Sequence, residues 1–150
     1  MKYLLVLITI VFFSCSSPKQ TVYDPHVPHP GDTKILLKNP VPLDTIEIVL
    51  FERGFTIDTK NKELGLITTK PRKLKGVEGA VIVRAQIKPE EVVFTGEFAI
   101  NYDISAGMLT LKRTFEQLRY GGMNKSIIRE SWHAMENVVI RIGGERIYTK

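Results

Sequence analysis

The stretch that decides the fold runs Ala80-Val-Ile-Val-Arg-Ala-Gln-Ile-Lys-Pro-Glu-Glu-Val-Val-Phe-Thr-Gly-Glu-Phe-Ala-Ile-Asn-Tyr-Asp-Ile104. Apolar and polar residues alternate before the turn at Pro89-Glu-Glu91 and again after it. Alternation with a period of two turns one face of each strand toward a core and leaves the other face toward water. The stretch therefore predicts two antiparallel strands. The face of the second strand that should be covered consists of Val92, Phe94, Phe98, Ile100, Tyr102 and Ile104.

Further strands are expected on both sides of this stretch. Residues 33–39 form a short strand, and residues 55–58 and 64–70 look like a hairpin around a polar turn at 59–63. Residues 108–115 continue the sheet, and residues 145–149 either add an edge strand or fray. Residues 71–79 are expected to be a basic loop.

Two helices are expected. In the first, Asp44 and Glu47 have the spacing of a capping box, and Gly54 suits a left-handed C-terminal cap. The second runs from Ser126 to Arg141 and ends at Gly143-Gly144, with Asn124 or Ser126 as its N-cap. The residues expected to be buried are Ile46, Val49, Leu50 and Phe51 in the first helix and Ile128, Trp132, Met135, Val139 and Ile142 in the second. The pattern predicts an α+β domain over residues 33–150, with an antiparallel sheet of about five to six strands and both helices on one face.

Residues 46–69 read as a helix, Gly-Phe, a strand, a polar turn, Gly, and a strand ending in Thr-Thr. On Gly54, Gly65 and Thr68-Thr69, this segment resembles small bacterial lipoprotein domains, including the helix-grip domains of BamC-type lipoproteins of the outer-membrane β-barrel assembly machinery. The resemblance implies a helix-grip or TBP-like fold. It also implies a scaffold or accessory role, with no catalytic residues to carry over.

The first fifteen residues have the layout of a lipoprotein signal peptide. Lys2 precedes an apolar run of about eleven residues, which is shorter than the roughly 20 that a spanning helix needs. Phe12-Phe13-Ser14-Cys15 resembles a lipobox, with Phe12 where Leu is usual. We therefore expect residues 1–14 to be cleaved and acyl chains such as palmitate to be attached to Cys15, which is the only cysteine in the chain. An ordinary secretory signal that happens to contain a cysteine is the alternative.

Residues 15–32 contain four prolines and few core-forming residues, so we expect an extended tether of up to about 50 Å. Lipidation would place the protein in the cell envelope, on the periplasmic or outer-membrane side. The formal net charge of +5 is a mild excess that favours anionic lipid, polysaccharide or acidic proteins. Export makes nucleic acid an improbable partner.

Two surface features are candidate binding sites. The first is a basic run of Lys70, Arg72, Lys73 and Lys75, which is either a patch for anionic headgroups or an acidic partner, or simply an exposed loop. The second is a set of aromatic residues that either line a sheet–helix groove for an apolar ligand or belong to the core: Phe94, Phe98, Tyr102 and Trp132.

No residue pattern predicts catalysis, a metal or a cofactor. Asp24, His26, His29 and Asp32 are ligand types, but the prolines between them should splay the side chains. His133 beside Glu136 could serve as a general base, or could simply belong to the charged flank of a helix. The sequence favours a non-catalytic accessory or protein-interaction module of the envelope, with a carrier of a small apolar or lipid ligand as the alternative.

Overall fold

The structure, a computed structural model, describes residues 23–100, 114–121 and 126–150. These residues form eight strands and two helices. In chain order they are β1 (Lys34–Lys38), α1 (Leu43–Glu52), β2 (Ile57–Asn61), β3 (Leu66–Thr69), β4 (Arg72–Lys73), β5 (Gly79–Ile87), β6 (Glu91–Ile100), β7 (Glu116–Gln117), α2 (Ile127–Ile142) and β8 (Arg146–Thr149). The α+β class is confirmed.

All strand pairs in the sheet are antiparallel, and its main path runs β2-β3-β5-β6-β1-β8. The two remaining strands, each two residues long, attach to this path: β4 pairs with β5 and β7 with β6. Because β6 takes the other edge of β5, β4 lies on the same side of β5 as β3. The six-strand path matches the expected size, and residues 145–149 do add an edge strand.

The core lies between the sheet and the helices. Alternate residues of β1, β3, β5 and β6 are buried, and α2 packs over β1, β5 and β6 while α1 packs against β2 and β3. The side chains that turn to the other face of the sheet are at least partly exposed along β1 and β3. The largest fully buried side chains include Trp132, Phe55, Phe94, Ile35, Leu37, Ile46 and Leu50.

The helix ends are built as the sequence predicts, except at the start of α1. Gly54 has φ +78°, its N–H donates to Phe51 O at 2.9 Å, and the N–H of Phe55 donates to Leu50 O at 3.0 Å. This is the Schellman pattern, which needs a left-handed residue at Gly54. At the start of α2, the Ser126 hydroxyl accepts from the Arg129 N–H at 3.2 Å, so Ser126 is the N-cap.

The predicted capping box of α1 is wrong. The helix begins at Leu43 after Pro42, and no side chain caps it. Asp44 therefore lies inside the first turn, where it accepts from Lys60 Nζ of β2 at 2.6 Å, and Glu47 accepts from the same ammonium group. The two carboxylates thus join α1 to β2 instead of closing the helix terminus.

Two apolar residues that we expected in the core are exposed. Phe51 is 77% exposed, because the buried stripe of α1 passes through Leu50 and successive helical residues differ by about 100° in direction. Ile100 is 59% exposed and is the last described residue of β6. The basic segment 71–79 also differs from the expected loop, since its first part forms β4 against β5.

Residues 23–32 do not form the extended tether that we expected. They turn and lie along β8, at the edge of that strand that does not pair with β1. The Tyr148 N–H donates to Pro25 O at 2.7 Å, and the Tyr23 hydroxyl donates to Tyr148 O at 2.6 Å. His26 Nδ1 donates to Arg146 O at 3.0 Å. The unpaired edge of β8 is thus satisfied by the chain's own N-terminal segment.

Several predictions lie outside the described residues. These concern the signal peptide at 1–14, Cys15, the first part of the tether, Tyr102 with the end of its strand, the strand at 108–113 and the alternative cap Asn124.

Candidate functional site

The potential metal ligands of the N-terminal segment serve backbone groups. His29 Nε2 donates to Asp24 O at 2.9 Å, and the His29 N–H donates to the buried Asp32 Oδ2 at 2.7 Å. His26 is engaged with β8, as described above. Within the described ranges, no three His, Cys, Asp or Glu side chains converge as metal ligands. The segment is held in place by side-chain to backbone bonds.

The aromatic residues proposed for a groove are packed into the core. Phe94 and Trp132 are fully buried and Phe98 nearly so. The indole of Trp132 meets the ring of Tyr120 edge-on at 5.3 Å and lies 6.3 Å from that of Tyr148. Phe94, Phe98 and Trp132 are therefore residues of the hydrophobic core.

Both ring nitrogens of His133 are engaged. Nδ1 lies 3.3 Å from Glu136 Oε2, and Nε2 accepts from Arg129 Nε at 3.3 Å. Since Nε2 accepts a hydrogen bond from a guanidinium, the proton on the ring is on Nδ1 and points to Glu136. A general base needs a free lone pair within reach of its substrate, and Nε2 is already occupied.

A cleft of about 670 Å³ opens between the end of α1, β4 and the middle of α2. We call it the basic cleft. Three of the four residues of the predicted basic patch lie in it, while Lys70 does not. Its lining consists of Glu52, Arg53, Gly54, Arg72, Lys73, Leu74, Lys75, Glu130, His133, Ala134 and Asn137.

Arg72 is the most constrained cation of the basic cleft. Its guanidinium carbon lies 4.1 Å from the centre of the Phe55 ring, and Nη1 donates to the carbonyl of Arg53 at the end of α1. Its Nε is buried and has no hydrogen-bond partner among the described residues. Burial lowers the pKa of Arg72, because desolvation disfavours the charged form. The packing thus holds a partly desolvated cation in the wall of the cleft.

The cleft carries more positive than negative charge. It is lined by four cationic residues and two carboxylates, and Glu52 already accepts from Arg141 Nε at 3.1 Å. None of the ion pairs between described residues involves Arg53, Arg72 or Lys75. These three cations therefore make no ion pair within the part of the chain that the structure describes.

Two exposed apolar side chains lie on the outer surface of α1, the helix whose end borders the basic cleft. Ile48, which is 59% exposed, and Phe51 are three residues apart on α1 and hence neighbours on the helix surface. Glu52, one residue after Phe51 and four after Ile48, already lines the cleft. We call Ile48 and Phe51 the apolar pair. A helical wheel would have found it, because both residues lie outside the stripe through Ile46, Val49 and Leu50.

The face of the sheet opposite the helices presents a row of partly exposed apolar residues. Leu36 of β1 lies between Ile147 of β8 and Val93 of β6, as their register shows. We call these three residues the apolar row. On the same face, the Arg84 guanidinium pairs with Glu97 at 2.8 Å. A partly exposed apolar centre with charged groups beside it is typical of protein–protein interfaces.

No protein-family model matches this chain, and a search of curated proteins finds no significant relative. In the described part of the chain, neither helix combines the length and apolar character that crossing a bilayer requires.

Proposed function

We propose that this chain is a membrane-anchored bacterial lipoprotein whose domain is a non-catalytic accessory or protein-interaction module of the cell envelope. The order of Lys2, an apolar run and Ser14-Cys15 supports the anchor, and the sheet face supports the binding role. Acyl chains on Cys15 would hold the protein at the membrane without help from its surface.

The tether is shorter than the composition of residues 15–32 indicates. Because residues 23–32 are held along β8, seven residues lie between Cys15 and Tyr23, which makes eight Cα–Cα steps. Fully extended, they would span at most about 29 Å. A domain of about 130 residues has a radius of gyration of about 14 Å. The proposed anchor therefore keeps the domain within roughly twice that distance of the bilayer.

The observation that carries the binding role is the apolar row on the open face of the sheet. Leu36, Val93 and Ile147 lie on three adjacent strands and keep part of their surface in water. Burial of apolar surface contributes about 25 cal/mol per Å². A complex in which a partner covers the apolar row would be stabilised by this burial free energy, and the Arg84–Glu97 pair would lie at the rim of the interface.

Site-specific crosslinking in native membranes tests the binding role. A photoreactive amino acid at Leu36 should yield a reproducible adduct with an envelope protein, identified by mass spectrometry. The matched control is the same amino acid at Leu64, an exposed apolar residue at the β2–β3 turn. Identical adducts from the two positions, or none from Leu36, would contradict a partner on the open face.

The anchor has a separate test. Cys15→Ser should abolish incorporation of labelled fatty acid and release the protein from the membrane fraction. A Cys15→Ser protein that stays in the membrane would show that the lipobox interpretation is wrong.

A further inference from the structure

We propose that the edge of β8 is a strand-addition site for an extended segment of the protein partner, and that residues 23–28 are a releasable strap that covers this site. We call residues 23–28 the outer strap. The inference rests on the proposed function, because it describes how the partner of the apolar row binds and what controls its access. It adds to that function a second contact, which is made through backbone hydrogen bonds.

The edge of β8 that does not pair with β1 presents the backbone groups of Arg146 and Tyr148. On the other edge, Glu145 O and Thr149 O accept from backbone N–H groups in β1 or directly before it. The N–H and C=O groups of successive strand residues point to opposite edges. Ile147 therefore also faces β1, and the backbone of Arg146 and of Tyr148 faces the outer strap.

The outer strap bonds to this edge mainly through side chains. The Tyr148 N–H donates to Pro25 O at 2.7 Å, but the two carbonyls accept from side chains: Tyr148 O from the Tyr23 hydroxyl at 2.6 Å and Arg146 O from His26 Nδ1 at 3.0 Å. Proline has no N–H, so Pro25 cannot continue the strap as a regular strand. An extended peptide without proline offers a backbone N–H and C=O to the edge at every second residue. Such a peptide can therefore replace the strap with a regular antiparallel or parallel ladder.

The outer strap is held less firmly than the residues that follow it. Tyr23 and Val27 are 49% and 50% exposed, so the outer strap buries little apolar surface there. In residues 29–33, by contrast, Asp32 is fully buried and its carbonyl accepts from the Tyr120 N–H at 2.6 Å. Ordering the backbone of one residue costs at least about as much free energy as one hydrogen bond contributes. The outer strap has six residues to order and makes three hydrogen bonds to β8 among the described residues, so we expect it to open without unfolding the domain.

A strand added to β8 would continue the apolar row. Val93, Leu36 and Ile147 lie side by side across β6, β1 and β8, and β8 is the last strand of the path. A residue opposite Ile147 on an added strand would have its Cβ within about 5.5 Å of that of Ile147. The partner segment should therefore be extended and carry apolar side chains at alternate positions. A lipid or a small apolar ligand offers no such ladder of N–H and C=O groups.

Hydrogen exchange of single amides, followed by NMR on the full chain purified in detergent, tests whether the strap is released. The Tyr148 amide faces the strap and the Ile147 amide faces β1, so the two amides report on opposite edges of the same strand. The Tyr148 amide should exchange faster than that of Ile147, and low concentrations of urea should hardly change its rate. The physical reason is that opening the strap exposes little surface, whereas the urea dependence grows with the surface exposed. Equal rates with equal urea dependence would overturn the proposal, because the strap would then open only together with β8.

Two substitutions weaken the strap without touching the core. Tyr23→Phe removes the hydroxyl that donates to Tyr148 O and keeps the ring, which lies 4.6 Å from that of His29. His26→Ala removes the donor to the neighbouring carbonyl. Each should speed exchange of the Tyr148 amide about fivefold relative to that of Ile147, which is the effect of one hydrogen bond of ordinary strength. Tyr23 and His26 are both exposed, so the domain should stay folded.

Crosslinking in native membranes tests whether release of the strap admits the partner. When only the released form binds, the apparent affinity is proportional to the released fraction. With a photoreactive amino acid at Leu36 and the partner limiting, Tyr23→Phe should therefore raise the adduct yield by up to about fivefold. Val27→Thr is the matched control, because it alters a half-exposed residue of the outer strap and keeps the branched shape of the side chain. Val27→Thr should change neither the exchange rate nor the yield.

The outcomes separate this inference from the proposed function. A specific adduct at Leu36 whose yield does not change in Tyr23→Phe, although exchange is faster, would refute the strand-addition site and leave the proposed partner binding intact. A yield that falls in Tyr23→Phe would also refute it, because the docked strap would then belong to the surface that the partner contacts. Absence of an adduct at Leu36 in every variant would refute the proposed partner binding itself, and the strand-addition site with it.

Discussion

Tyr148→Phe removes a single oxygen that joins β8 to α2. The Tyr148 hydroxyl donates to Glu136 Oε1 at 2.7 Å, and the residue is otherwise buried. A hydrogen bond to a charged group contributes about 1.5–3 kcal/mol. The Glu136 side chain is 15% exposed, so water can replace the lost donor only in part. We expect the free energy of unfolding at pH 7 to fall by about 2 kcal/mol.

The same substitution should change how stability depends on alkaline pH. Burial raises the pKa of Tyr148 above its usual value, and the hydrogen bond and charge of Glu136 raise it further. Since the folded pKa lies above the unfolded one, the contribution is fully present below about pH 10 and is lost as pH rises. Between pH 7 and pH 11 the Tyr148 contribution should fall by up to about 1.4 kcal/mol, and Tyr148→Phe should lack that part of the loss.

Urea unfolding followed by tryptophan fluorescence measures both effects. Trp132 is the only tryptophan and its ring lies 6.3 Å from that of Tyr148, so the probe reports on this region. With a urea dependence of about 1.5 kcal/mol per molar, the midpoint should shift by about 1.3 M. Tyr120→Phe is the matched control, because Tyr120 is the other ring against Trp132 and its hydroxyl makes no hydrogen bond among the described residues. A midpoint for Tyr148→Phe equal to that of the control, or an unchanged alkaline loss, would refute the reasoning.

Three further substitutions test the local structure by urea unfolding. Gly54→Ala should lower the free energy of unfolding by about 1–2 kcal/mol. An added Cβ would have room at this position, but an L residue is strained at the φ of +78° that the helix cap requires. A stability equal to that of the unaltered protein would contradict the left-handed cap. Gly96→Ala should cost about 1–3 kcal/mol, because its Cβ would lie 2.8 Å from Leu118 Cδ2; a neutral effect would mean that Leu118 moves freely. Asp44→Asn should reduce the loss of stability on acidification: the hydrogen bond and charge of Lys60 lower the Asp44 pKa, so its contribution is present above about pH 4 and lost below it. An unchanged acid profile in Asp44→Asn would show that this pair contributes nothing.

The parts of the fold that follow from local chemistry were predictable. Gly54 and Ser126 mark helix termini because a left-handed residue and a side-chain acceptor are needed at those places. The capping box at Asp44 does not form, because the carboxylate accepts instead from Lys60 of β2, a residue 16 positions further along the chain. Sequence spacing identifies a possible local partner but does not reveal a distant one.

The candidate surfaces were predictable only in part. The cationic residues of segment 70–75 were visible in the sequence, but their assembly with Arg53 and His133 into a cleft depends on how α1 and α2 pack. Phe51 looked like a core residue because it continues an apolar run. Only the direction of the buried stripe shows that it faces water.

The sequence by itself determined the α+β class, the antiparallel pairing, both helix C-terminal signals and the expectation of a lipid anchor at Cys15. These features depend on periodicity and on residues close together in the chain. The tertiary structure alone decided that residues 23–32 close the edge of β8 and that β4 joins the sheet. It also decided that a cleft forms between the end of α1, β4 and α2, and that Phe51 faces water. These features arise where segments far apart in the chain compete for the same hydrogen bonds and the same apolar surface. A local sequence pattern does not predict which of the competing segments makes the contact.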